Sequence, residues 1–199
     1  MKFFLPFLIL LLSFSLLSQE IPSKEDQIAA AVLAAPQEFR EGATVLGYNE
    51  AGEVVTLREG TNSMICLADD PNRPGFNAAA YHDDLADFMA RGRELRAEGK
   101  DRQQIFEARE SEAKSGTLKM PEGGSTLHLL YGKEAKYNPE TGEVDNAAYR
   151  YVVYIPWATA ESTGLPAAPT GVPGGPWIMD PGTHKAHIMI TPPADMQKK

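Results

Sequence analysis

Cysteine is almost missing from this chain. Cys66 stands alone among 199 residues, so no disulfide can form within the chain and no multi-cysteine zinc cluster is available. Positive charge is also scarce: 19 Lys and Arg face 27 Asp and Glu, for a formal net charge of −8. Nucleic-acid affinity comes largely from cations that displace counterions from phosphates, so no nucleic-acid partner is expected. The same deficit disfavours anionic membrane surfaces. Beyond residue 17 no apolar run approaches the ~20 residues of a membrane-spanning helix, and no Asn-x-Ser/Thr acceptor is present.

Catalytic and cofactor signatures are lacking as well. There is no G-x-S-x-G elbow, H-E-x-x-H pair, G-x-G-x-x-G turn or EF-hand loop. Gly47 and Gly52 have P-loop spacing, but Glu53-Val54 follows where a phosphate-binding lysine and a hydroxyl are required. No cofactor is expected. An enzyme, as the alternative, would be a hydrolase working through scattered histidine and carboxylate groups.

What is present begins with an address. Lys2 precedes an apolar run from Phe3 to Leu17, broken by Pro6, Ser13 and Ser15, and Ser18-Gln19-Glu20 returns to polar chemistry. This is the layout of a secretory signal peptide. Residues 1–18 are therefore expected to be removed on export to the periplasm or the medium, leaving no stable membrane span. Residues 19–199 are expected to form a single domain, with a globular composition of 43% hydrophobic and 23% charged residues.

Within that domain the pattern predicts a short helix opening at the Ser23-Lys24-Glu25-Asp26 capping box and closed by Pro36. A three-stranded meander is expected over residues 43–68, with turns at Asn49–Gly52 and Glu59–Asn62. Residues 82–115 read as a charged αα-hairpin. Its first helix stops at Gly99, its second restarts at Asp101 with Gln104, and Asp87–Arg91 and Glu110–Lys114 are spaced as ion pairs. Strands follow around Leu127–Tyr131, Tyr149–Ile155 and Ala186–Ile190, with a frayed tail from Pro192. Segregated strands and helices indicate an α+β fold, with a mainly antiparallel sheet of about five or six strands.

Residues 156–182 are the oddest stretch. They hold six prolines and five glycines, only Glu161 and Asp180 carry charge, and Trp157 and Trp177 flank the segment. A loop this long in a compact domain is often functional, and here it is expected to cover an edge or end of the sheet. Trp157, Trp177 and nearby Tyr154 are the candidate ligand-binding residues, because such rings bind at low entropic cost. The matching partners are an envelope glycan, a peptide or a small hydrophobic ligand, and the leading function is a non-enzymatic binding module.

Two metal candidates stand beside this. His184 and His187, with His128 or His82 as a third ligand, could chelate only if a turn at Lys185-Ala186 brings the two rings to one side, since extended chain sends them to opposite faces. Asp69, Asp70, Asn72, Asp83 and Asp84 form an acidic cluster that matches no known calcium loop, and two of them suit the front of a helix. Cys66 reads as a buried, inert thiol: Asp69 and Asp70 nearby oppose the positive surroundings that activate a thiolate.

Overall fold

The computed structural model describes residues 21–193. The expected signal peptide and most of the expected tail, residues 194–199, lie outside the described residues. Helix α1, Lys24–Val32, starts where the sequence places it, but with half of the expected capping box: Ser23 Oγ accepts from the Asp26 amide at 3.0 Å and donates to Asp26 Oδ2 at 2.8 Å. Gln27 then enters the interior and uses its amide twice on one residue. Its Nε2 donates to Tyr48 O at 3.0 Å, and its Oε1 accepts from Tyr48 N at 2.8 Å. A buried backbone that would lack partners is thereby satisfied, and the helix is tied to the first strand.

Strands β1, Thr44–Tyr48, and β2, Val54–Arg58, form the expected hairpin around Asn49, whose Oδ1 accepts from the Ala51 and Glu53 amides. The meander does not continue. Strand β3, Met64–Leu67, lies on the other side of β1 and runs parallel to it. Parallel placement puts Cys66 beside Val45, both fully buried.

Strand β4, Phe76–His82, has no counterpart in the sequence reading, yet it lies inside the sheet between β3 and the next strand. Its centre is Ala78-Ala79-Ala80, which favours helix over strand locally. Tertiary packing overrides that preference. Ala78 and Ala80 meet the alanines of α1 on one face of the sheet, and Ala79 belongs to the core on the other. Small side chains let a covering helix approach closely here.

The αα-hairpin forms as patterned. Helix α2, Ala86–Ala97, follows a short 3-10 turn at Asp83–Leu85, and α3, Arg102–Ser115, opens on the reciprocal Asp101–Gln104 capping box and ends at Gly116 with φ 77°. Gly99, at φ 78°, makes the tight link between them. Of the two expected intrahelical pairs, Glu110–Lys114 forms at 2.7 Å. Arg91 turns instead to Glu112 of α3 at 2.8 Å and to Glu94 at 3.1 Å, so it bridges the hairpin.

Strands β5, Ser125–Gly132, and β8, Ala148–Tyr154, pair directly, and the small hairpin of β6, Lys136–Asn138, and β7, Glu143–Asp145, extends from their far end. The Pro/Gly stretch carries a four-residue helix, α4, Ala160–Thr163, and strand β9, Trp177–Met179. Strand β10, His187–Ile190, completes an eight-stranded sheet ordered β2-β1-β3-β4-β5-β8-β10-β9. The sheet is larger than the five or six strands expected and antiparallel except at β1–β3. The result is a single α+β domain with α1 on one face and α2–α3 on the other. Among the described residues no helix is long and apolar enough to cross a membrane.

Candidate functional site

The sheet separates the candidate metal ligands. His187 pairs with Tyr154, and His128 pairs with Tyr151. Those tyrosines are three apart on one strand, so His187 and His128 project from opposite faces. His128 lies half-buried against the Tyr151 ring at 5.6 Å. His184 and His187 are both buried on the face covered by the αα-hairpin, but their Nδ1 atoms are engaged separately: His184 with Glu110 Oε2 at 2.5 Å and His187 with Lys185 O at 2.6 Å. Burial lowers the pKa of all three imidazoles below the ordinary histidine range, and Glu110 partly offsets this at His184.

The acidic cluster divides along β4. Asp69, before that strand, accepts from the Asn77 amide at 2.8 Å, while Asp83 and Asp84 follow the strand's end. There they join His82, with ligand atoms within 4.8 Å of one another, the carboxylates exposed. His82 Nδ1 accepts from the Asp84 amide at 3.2 Å, so this group serves as a cap with helix-front charge. The candidate ligand-binding rings are also divided. Tyr154 is buried against Phe88, with centroids 5.3 Å apart, and Trp177 packs partly buried on the same core. Only Trp157 is exposed, at 41%.

A site absent from the sequence reading lies at the α2–α3 turn. There the chain forms an open cleft of about 870 Å³. Arg96 comes from the end of α2, Lys100 from the turn, Arg102 and Arg109 from α3, Arg73 from the β3–β4 loop and Lys185 from the β9–β10 turn. Asp180 is the only acidic residue on the lining, and Ile105 and Phe106 supply its apolar part. Lys185 Nζ meets Asp180 at 3.0 Å. Among the described residues Arg73, Arg96, Lys100 and Arg102 form no ion pair.

Arg109 is held differently. Its guanidinium lies over the Phe88 ring at 3.9 Å, Nη1 donates to Phe88 O at 3.1 Å, and the buried Nε has no partner. Burial lowers its pKa and nearby Arg96 adds to this, with Tyr154 and Glu112 only partly opposing. The net effect disfavours the cation, and an anion in the cleft would offset it by direct attraction. So many uncompensated positive groups around one concavity attract anions by direct Coulomb interaction, strengthened where the protein wall displaces water.

No family model matches the sequence, no curated protein matches it, and no solved structure matches the fold. Chemistry and geometry therefore carry the functional reading. The cleft was partly legible in the 102–109 segment, where Arg102, Phe106 and Arg109 recur at helical spacing on one face. Read alone, such charges belong to a solvated helix surface. Arg73 and Lys185 join them only through folding.

Proposed function

We propose that this protein is an exported, non-enzymatic binding module whose basic cleft takes a multivalent anion, specifically an acidic envelope glycan. The observation that carries this reading is the cluster of unpaired cations in a chain of net charge −8. The volume of the cleft falls in the range of small-molecule sites. Phe106, with the largely buried Ile105, supplies the apolar part of the lining, suited to a sugar ring bearing carboxylate or sulfate groups at its rim. Arginine predominates over lysine on the lining, which favours planar, bidentate recognition of such groups. Export is supported by the leader-like pattern of residues 1–18.

Titration calorimetry with trigalacturonate, against neutral maltotriose, tests the site. Binding of the acidic sugar alone is expected, weakened at least tenfold in Arg102→Glu/Lys100→Glu, a loss of about 1.4 kcal/mol. Equal affinity for both sugars, or indifference to charge reversal, would remove the proposal. Export is tested by the mass of the protein recovered from cells: the intact 199-residue chain in the cytosol would contradict it.

Trp157 favours a second binding surface on the Pro/Gly segment. Its backbone takes φ 68°, unusual for a bulky residue, and its exposed ring stands 6.0 Å from Lys114 Nζ. Strain of this kind persists only where the surroundings enforce it. If the ring binds neutral glycans or apolar ligands, Trp157→Ala abolishes the fluorescence response to them. An undiminished response excludes Trp157 from that role.

A further inference from the structure

The two sides of the basic cleft are joined at one point. Glu110 follows Arg109 on α3, and His184 precedes Lys185 on the β9–β10 turn, so each stands next to a cleft cation. Glu110 Oε2 receives two contacts from that turn, the His184 amide at 3.2 Å and His184 Nδ1 at 2.5 Å. Its other oxygen holds Lys114 Nζ at 2.7 Å. The carboxylate is thus fixed on α3 while it grips the turn. The His184 ring is fully buried, packed on Phe88 at 5.9 Å and on Phe106 at 5.0 Å, and Phe106 lines the cleft. Among the described residues no other side-chain hydrogen bond or ion pair links α3 to the β9–β10 turn.

We infer that Glu110 and His184 are positioning residues for the anion-binding cleft, a latch that sets the separation of Arg102, Phe106 and Arg109 from Lys185. This rests on the cleft being the ligand site. The latch makes no contact with the anion. It acts by holding cations from two remote segments at a fixed spacing, so the ligand need not supply the energy of ordering them.

The test combines binding with amide hydrogen exchange, using trigalacturonate as the probe and the variants Glu110→Gln, His184→Asn, His184→Ala and the double variant Glu110→Gln/His184→Ala. Glutamine keeps an acceptor for His184 but loses the ion pair to Lys114, and asparagine places an amide donor near the position of Nδ1. Glu110→Gln is expected to weaken probe binding about tenfold, because a neutral amide gives up the charge assistance at His184 as well as the ion pair to Lys114. His184→Asn should retain more affinity than His184→Ala. The double variant should lose less than the product of the two single losses, because both break one linkage. Exchange at residues 183–186 should quicken with the loss of affinity. Unchanged affinity in variants with lowered thermal stability would show a purely structural pair and overturn the latch, as would multiplicative losses. If the unaltered protein binds no acidic probe, the cleft reading fails. The exchange rates then still report separately whether Glu110 secures the turn.

Discussion

At the scale of single residues, burial decides chemistry more than identity does. Cys66 is fully buried, and burial pushes its thiol up to about 12, with Arg58 and Arg40 only partly opposing. A negligible fraction is thiolate at neutral pH, so a thiol reagent should label it only as fast as the protein unfolds. Rapid labelling in native buffer would contradict this. The three depressed histidines give a second expectation. Their folded pKa values lie below the ordinary 6.5, so as pH falls through 6.5 the unfolded chain binds protons that the native state resists, and stability declines. Glu110 adds to the decline at lower pH. Burial would raise its pKa, but Lys114 and His184 outweigh that and hold it at about 2, so its stabilisation is lost between 4.5 and 2. Asp69 acts oppositely: burial raises it from 3.8 to about 6, so it favours the folded state as pH falls across that interval. From pH 7 towards 6 the histidines titrate ahead of Asp69, so stability should fall over that step, read from urea midpoints. A gain on acidification would mean that Asp69 dominates. On the alkaline side burial raises Tyr48 and Tyr154 from 10 to about 12, so the stability they provide is lost as pH rises through that interval.

At the scale of elements, the structure separates local signals from tertiary ones. The N-cap at Ser23, the capping box at Asp101 and the left-handed glycines at 99 and 116 lie where the sequence places them, because each is satisfied within a few residues; at Ser23 only half of the expected box forms. Strand β4 is the contrary case. Its three alanines carry no strand signal, and their value lies in what they allow to pack against them. Ala80→Val raises local strand propensity, yet Ala80 is fully buried within the α1-facing core. The expected outcome is destabilisation by about 1 to 3 kcal/mol from overpacking, measured by denaturant titration. A stabilised variant would show room at this contact. The histidines teach the same lesson from another side. Alternation along extended chain would part His184 from His187, but residue 184 precedes β10 in a turn, and both rings enter the same layer. His128 is excluded from that layer by strand register.

At the scale of the whole molecule, charge is distributed against its sum. A strongly acidic chain gathers six cations around a single concavity. Association with an acidic glycan should therefore depend steeply on salt. Raising ionic strength from about 0.01 M to about 1 M shortens the screening length from roughly 30 Å to 3 Å. Affinity and association rate should both fall across that range, whereas binding through Trp157 to a neutral ligand should change little. A salt-insensitive acidic probe would point to recognition by the apolar lining instead. Bringing the cations together requires the hairpin, the β3–β4 loop and the β9–β10 turn at once, so the cleft is a product of assembly.

The sequence by itself determined the α+β class, the hairpin with its caps, the strands bounded by turn residues and the buried character of Cys66. These depend on hydrophobic period, capping and turn chemistry, all of which act over a few residues. Only the tertiary structure decided that β1 and β3 run parallel, that an alanine run is an interior strand, that Tyr154 is core, and that Arg73 and Lys185 join the four cations of the αα-hairpin in one cleft. Those features arise from contacts between segments far apart in the chain, where no local pattern records the partner.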